Sequence, residues 1–407
     1  MTAFRAADAA QVGEVVAWAT AEEQPVEIVG GGSKRGLGRP MQVEHLLDLS
    51  ALSGIREYEA AELVLTAAAA TPLAEIEAAL DASRQIMNFE PADWRGLLGT
   101  EASRPTIGGV LSCNLSGPRR VRVGAARDFF LGFQGVNGRG ELYKAGGKVV
   151  KNVTGYDLCK LVAGAYGTLG VLTEVTIRVG PRPETARTVL LLGLDDASGV
   201  RALAAGLNGP HEVSGAAHVP DSVARRSAVP AVAGAGGAVT ALRVEGPEPS
   251  VAFRAQALVE AMNPFAPTGT LEQDDTTAFW RELRDANPLA EPRERAVWRV
   301  SATPSSGPSI AADIAAQAEA EWYFDWGGGL VWAAIAGQAD GGAGIVRAAV
   351  ATHGGGHATL LRANESVRAA VDVFQPLPGP LAALSARVKT SFDPHRVLNP
   401  GRMYAGI

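Results

Sequence analysis

The sequence predicts an α+β protein of two or three domains, and three observations carry that expectation. Its 407 residues exceed a single core at ~150 residues per domain. Short apolar runs alternate with capped amphipathic stretches, the pattern of strands and helices sharing layers. Gly180-Pro181-Arg182-Pro183 then breaks the pattern, as turn formers do at a domain boundary. The expected units are 1–182, 183–379 and a closing segment, 380–407.

The elements follow in order. Residues 8–20 read as a helix capped by Asp8, with Val12, Val15, Val16 and Ala19 on one face. The run 26–29 is a strand that ends in Gly30-Gly31-Gly32-Ser33-Lys34. Further strands are expected at 46–49, 54–58 and 63–69. Thr71 reads as an N-cap with Pro72 at the first helical position, opening a helix to Leu80. Residues 102–114 form a loop feeding a short helix. The segments 129–136 and 141–145 make a hairpin around Asn137-Gly138-Arg139-Gly140. A helix at 156–162 and a strand at 169–179 complete the first unit. In the second, strands at 189–194, 213–219 and 239–244 alternate with helices at 198–207 and 249–262. Strands at 296–302 and 330–336 follow, with helices at 276–286 and 310–320. That succession predicts one antiparallel sheet with helices on one face. Residues 380–392 are a last helix, leading into a tail that ends Asn399-Pro400-Gly401-Arg402.

Composition narrows the function. With 47% hydrophobic and 20% charged residues the chain has material for a large core, which excludes wholesale disorder. A net charge of −6 argues against a general nucleic-acid or anionic-membrane binder. Cys113 and Cys159 are the only cysteines, so neither a disulfide framework nor an iron–sulfur cluster can organise the chain. The N-terminus has no apolar core of a signal peptide, and the alanine-rich stretches are broken by charges, so no membrane span is expected. The expected place is the cytoplasm, with peripheral attachment to the inner membrane through a partner left open. The 48 glycines stand well above the usual ~7% and point to many turns, or to backbone held close to a ligand.

Three glycine-rich segments make the second reading specific. Gly30, Gly31, Gly32, Ser33 and Lys34 follow a strand, where converging backbone N–H groups suit an anion. The spacing is neither a dinucleotide-binding fingerprint, because Arg35 takes the sixth position, nor a P-loop, because Leu37-Gly38 follows Gly36. In the second segment Pro105-Thr106-Ile107-Gly108-Gly109-Val110 opens a helix, and Asn114-Leu115-Ser116-Gly117-Pro118-Arg119-Arg120 follows. The basic group Arg119, Arg120, Arg122 and Arg127 could face phosphate, a partner or solvent. The third segment runs from Lys148 through Gly155-Tyr156-Asp157 to Gly164-Ala165-Tyr166-Gly167.

These segments in this order, closed by Asn399-Pro400-Gly401-Arg402, resemble the FAD-binding domain of the vanillyl-alcohol-oxidase/p-cresol-methylhydroxylase superfamily. The nearest group is that of D-lactate and glycolate dehydrogenases. Further details resemble the FAD-binding subunits of three-component glycolate oxidases: Ser116 to Arg120 with Arg127-Asp128, Asp325-Trp326-Gly327-Gly328, and Gly355-Gly356-His357-Ala358-Thr359. The resemblance implies a two-lobed FAD-binding domain, a smaller antiparallel-sheet and helix cap domain, and a C-terminal tail returning to the flavin. It implies that Gly30 to Lys34 cradle the FAD pyrophosphate, and that Thr106, Ile107, Gly108, Gly109, Asn114 and Gly117 line the flavin and phosphate path. Gly155 and Asp157 would support the adjoining loop, Val171 would touch the adenosine end, and Asn399 and Arg402 would meet the ring system. The Gly30 loop holds no histidine or cysteine and Cys113 falls inside a helix, so noncovalent FAD is expected.

The pattern also departs from that group. Its hydroxy-acid dehydrogenases carry histidine-rich stretches that handle the α-hydroxyl proton, with or without a metal. Here His353-Gly354-Gly355-Gly356-His357 is the nearest approach, with no carboxylate in the segment, so no metal site is expected and His357 is only a weak catalytic candidate. Tyr166 stands where catalytic relatives have an acidic residue. The resemblance therefore implies a subunit whose FAD relays electrons inside a complex that oxidises glycolate to glyoxylate. A sister FAD-containing subunit would oxidise the acid and an iron–sulfur subunit would carry electrons onward. Two alternatives stay open: a stand-alone FAD-dependent dehydrogenase of another 2-hydroxy acid such as D-lactate, and a scaffold that has lost the cofactor.

Overall fold

The computed structural model describes residues 2–148 and 155–406. Near the N-terminus, Thr2–Arg5 and Val26–Val29 flank His45–Asp48 in a three-stranded parallel sheet. Helix Ala9–Ala21 begins as expected, because the Asp8 carboxylate accepts the Gln11 amide at 2.8 Å. Its apolar face buries Val12, Val16 and Ala19 in one cluster with Val26 and Leu47. A five-stranded antiparallel sheet follows, in the order Ile55–Glu59, Val64–Ala68, Val171–Arg178, Phe130–Val136, Leu142–Gly146.

The expected helix after Thr71 forms as Leu73–Ala82, but its cap differs from the expectation. Pro72 itself occupies the N-cap, and the Thr71 hydroxyl turns back to Ala68 O at 2.6 Å and accepts the Gly54 amide at 3.0 Å. The hydroxyl thereby closes the strand end instead of the helix end.

The second half is one eight-stranded antiparallel sheet, in the order Thr268–Leu271, Thr185–Leu192, Val239–Gly246, Gly215–Val219, Ala320–Asp325, Leu330–Ile335, Ala296–Ala302, Gly356–Arg362. On one face Val189 and Leu191 pack with Leu203 and Leu258 of helices Asp196–Asn208 and Glu248–Met262. The expectation that all helices share that face needs correction. Thr188, pointing the other way, accepts the indole N–H of Trp280 at 2.8 Å from helix Gln273–Arg284. Strands Thr268–Leu271, Ala320–Asp325 and Gly356–Arg362 and helix Ala343–Thr352 also carry no sequence expectation. Thr268–Leu271 is short and Gly356–Arg362 begins in glycine, whereas Ala320–Asp325 carries Trp322-Tyr323-Phe324, residues that themselves favour a strand.

Charge joins the two sheets. Glu90 accepts from Arg243 at 2.9 Å and from the Arg119 amide at 2.6 Å, while Arg119 reaches Glu245 at 2.6 Å. Burial alone would raise the Glu90 carboxyl, but the two guanidinium groups override it and hold it down to about 2. The chain then closes on itself. After helix Gly379–Phe392, the Val26 amide donates to Val397 O and the Asn399 amide donates to Val26 O, so the tail lies beside the first sheet.

Candidate functional site

The glycine segments converge on one cleft. Gly30 to Arg35 form one wall, Thr106, Gly108, Gly109, Ser112 and Cys113 a second, and Tyr166, Gly167, Asn399 and Arg402 a third. The first wall is strand Val26–Val29 running into a turn, anchored where the Arg104 amide donates to Gly31 O at 3.0 Å. The second is helix Ile107–Cys113, capped where the Thr106 hydroxyl accepts the Gly109 amide. Its backbone comes so near strand Val64–Ala68 that a Cβ on Gly108 would lie 2.7 Å from Ala69 O.

The tail supplies the third wall through two side chains. Asn399 accepts the Ile28 amide at 2.8 Å through Oδ1 and donates to Tyr166 O at 2.8 Å through Nδ2. Arg402 donates to Lys34 O at 2.8 Å, and its buried Nε has no protein acceptor. Among the described residues, the amides of Gly31, Gly32 and Lys34 likewise donate to no protein acceptor. Burial pulls the Lys34 ammonium below its usual range, with its Nζ resting 3.1 Å from Ser33 Oγ. Free amides, an ammonium whose protein acceptor is Ser33 Oγ and which keeps protons to spare, and an orphaned guanidinium N–H stand around one hollow. The group that fits is a long anion with polar ring edges, which matches the FAD implied by the glycine segments.

Several expected site residues lie outside the cleft. The Ile107 side chain is wholly buried in the core. Asn114 ends its helix in a left-handed turn and accepts the Arg127 amide. Gly117 donates to Phe89 O and accepts the Trp326 indole N–H, so it links the two sheets. Val171 packs with Val136 in the first-sheet cluster, while Gly170 and Leu172 on either side line the cleft. Strand alternation accounts for that one-residue offset. Asp157 caps helix Leu158–Val162 and pairs with Lys160, and Gly155 precedes it in an open turn. The middle of the third segment, residues 149–154, lies outside the described residues.

His357 is exposed on edge strand Gly356–Arg362, opposite Ser301, and His353 pairs with Asp313 at 2.7 Å. No histidine lines the cleft among the described residues. The cleft also takes residues that were not named as site candidates: Ala69, Ala70, Leu172, Ser112 and Cys113. The alanine run 67–70 was the available signal, since small side chains allow the close approach at Gly108. Cys113 ends its helix packed in the core and also borders the cleft, and burial pushes its thiol up.

Outside the cleft lining, strand Ala320–Asp325 ends in Asp325, with Trp326 in the turn that follows. Asp325 is buried and its Oδ1 accepts the Trp326 amide at 2.7 Å. Burial pushes its carboxyl up to about 7, with the nearby Glu90 charge adding to the rise. Between the unfolded value of ~3.9 and about 7 the folded chain therefore binds the extra proton, and stability falls as pH rises through that window. Asp325→Asn is expected to flatten that limb in denaturant titrations from pH 4 to pH 8, and an unchanged slope would refute the assignment.

Comparison with known proteins agrees with this geometry. The FAD binding domain family matches residues 2–146. The glycolate oxidase subunit GlcE of Escherichia coli (strain K12) is 34% identical over 397 residues, 97% of each chain. The glycolate oxidase subunit GlcD of Bacillus subtilis (strain 168) is 42% identical over 87 residues, 21% of this chain and 18% of that one. Among solved structures, p-cresol methylhydroxylase with substrate bound superposes with a TM-score of 0.74 at 13% identity, covering 99% of this chain and 88% of that one. No helix among the described residues is long and apolar enough to cross a membrane.

Proposed function

We propose, from the premise that this chain belongs to the GlcE family of FAD-binding oxidoreductases, that it is the electron-relaying FAD subunit of a glycolate oxidase complex. The observation that carries the proposal is the match to GlcE over 97% of each chain. In this reading residues 1–182 bind noncovalent FAD, 183–379 form the cap, and 380–407 complete the site. A sister FAD subunit oxidises glycolate to glyoxylate, and an iron–sulfur subunit receives the electrons. FAD supplies a group that accepts two electrons and releases them singly.

The chain's own residues hold and tune that group. The Gly31, Gly32 and Lys34 amides and the Lys34 ammonium would hold the pyrophosphate, and the Arg402 guanidinium would supply a cation for the polar ring edge. Asn399 fixes the distance between the two walls by bonding to both. Among the described residues no histidine lines the cleft, which favours relay over oxidation of the acid by this chain, since histidine is the usual acceptor of such a proton.

The test is optical. The purified FAD-loaded chain is expected to keep its absorbance near ~450 nm when glycolate or D-lactate is added, and to bleach once the sister subunit is present. Bleaching by glycolate alone would overturn the relay and favour a stand-alone dehydrogenase.

A further inference from the structure

The turn that follows the glycine run is held from the other half of the chain. Helix Glu365–Ala370 follows edge strand Gly356–Arg362 of the eight-stranded sheet, and the Leu360 amide ties the segment beyond it back to that strand through Val373 O at 2.8 Å. From this helix Arg368 donates through Nη1 to Gly36 O and to Gly38 O, each at 2.9 Å. Arg39 returns the contact. Its guanidinium donates to Ala369 O at 3.2 Å and to Val371 O at 3.3 Å, the carbonyls left open at the end of the same helix. Each segment thus supplies an arginine to the other's backbone, and neither arginine has a carboxylate partner among the described residues.

This clasp reaches the cleft through a single peptide. Gly38 O and the Arg39 N–H belong to one planar unit, so Arg368 grips one edge of it while the other edge donates to Arg402 O at 2.8 Å. A charged donor on the carbonyl also strengthens the N–H across the same unit. Gly38 is left-handed at φ 86°, and a Cβ there would stand 2.7 Å from Arg402 O, so turn and tail meet backbone to backbone. Arg402 then donates through Nη2 to Lys34 O at 2.8 Å. Lys34 and Arg402 line the cleft, whereas Arg39, Arg368 and every other described residue from 183 to 379 do not.

We propose that Arg368 is a positioning residue: through the Gly38–Arg39 peptide it sets where the Arg402 guanidinium stands at the cleft, and thereby the reduction potential of the FAD bound there. The inference rests on the reading of that cleft as the FAD site with Arg402 at the ring, not on the relay. Reduction makes the ring system more negative, so a cation kept beside it favours the reduced form and a displaced one lowers the potential. Without Arg368 the peptide is free to turn, and Arg402 loses the acceptor geometry that aligns it with Lys34 O. The eight-stranded sheet thus acts on the cofactor without lining its cleft.

Redox titration of the FAD-loaded chain tests this, with Arg368→Met, Arg368→Lys and Arg39→Met beside the parent. Methionine keeps much of the length and loses every donor. The ratio of affinities for reduced and oxidised FAD should then fall about tenfold, a midpoint ~30 mV lower for a two-electron couple. Arg368→Lys keeps a cationic donor for the two carbonyls and should recover most of that shift. Arg39→Met removes only the return contact and leaves the Arg39 amide on Arg402 O, so it should lower the midpoint by less. An arginine that merely stabilises the fold would change the denaturant midpoint and FAD content but not the potential. A parental potential in Arg368→Met, or a lysine variant no nearer the parent than the methionine one, would overturn the proposal. Should Arg368→Met retain no FAD, Arg39→Met decides: a lowered midpoint supports the proposal and a parental one refutes it. A parent chain that takes up no FAD refutes the cofactor reading and the proposal with it, whereas loaded variants at the parental potential refute the positioning alone.

Discussion

Gly31→Ala is expected to empty the FAD site. A Cβ on Gly31 would stand 1.8 Å from Arg104 O and 2.8 Å from its carbonyl carbon, and that backbone is tied to the same glycine by the Arg104 amide bond to Gly31 O. No rotamer change relieves a clash between a Cβ and a backbone carbonyl. The two loops must separate, and the amides of Gly31, Gly32 and Lys34 then lose their common focus. Overpacking of this kind costs ~3 kcal/mol, which is more than a hundredfold in FAD affinity if the loss falls on the bound state. Gly36→Ala, five positions later, is the matched control. Its Cβ would meet nothing within 4 Å and its backbone is not left-handed, so it should bind FAD as the parent does. The measurement is FAD per chain after gel filtration. Parental stoichiometry in a folded Gly31→Ala chain would remove the loop from the proposed site.

The contrast between these two glycines also shows what was legible in the residues. Strand, glycine run and helix cap are local signals, so Val26–Val29, Gly30 to Lys34 and the Thr106 cap could be read directly, and the structure gathers these segments around one cleft. Nothing local distinguishes Gly31 from Gly36, because the difference is the position of Arg104, about seventy residues away in sequence. The same limit explains Val171: the strand was foreseen, but which of two adjacent residues faces the cleft depends on register against Phe130–Val136 and Val64–Ala68. In the second half Thr185–Leu192, Val239–Gly246 and Leu330–Ile335 carry apolar runs and were legible, whereas Gly356–Arg362 opens in glycine and is held by pairing with Ala296–Ala302, and Ala320–Asp325 went unread although Trp322-Tyr323-Phe324 favour a strand. Arg120 is a further case: its guanidinium lies 4.5 Å from the ring centre of Trp326, far away in sequence, whereas the residues near 120 left phosphate, a partner and solvent all open.

Lys389→Met is expected to cost ~3–5 kcal/mol of stability and to loosen the tail, the usual penalty for leaving a buried charge without its partner. Lys389 is the one buried residue of helix Gly379–Phe392, and its side chain has no exposure to solvent. Its Nζ donates to Asp393 Oδ2 at 2.7 Å, Thr168 O at 2.7 Å and Leu398 O at 3.0 Å, so all three ammonium protons are used. Asp393 in turn accepts the amides of Val397 and Leu398. One ion pair thus fastens the last helix, the turn beside Tyr166 and the segment leading to Asn399 and Arg402. Methionine fills the volume but leaves the Asp393 carboxylate buried with two amides and no cation. The double variant Lys389→Met with Asp393→Asn removes that charge and keeps an acceptor for the amides, so it should recover part of the loss. FAD content should fall with the single variant, because Asn399 and Arg402 reach the cleft only while this staple holds. Denaturant midpoints for the two variants decide the matter. A single variant within ~0.5 kcal/mol of the parent would show that apolar packing, not the ion pair, seats the tail.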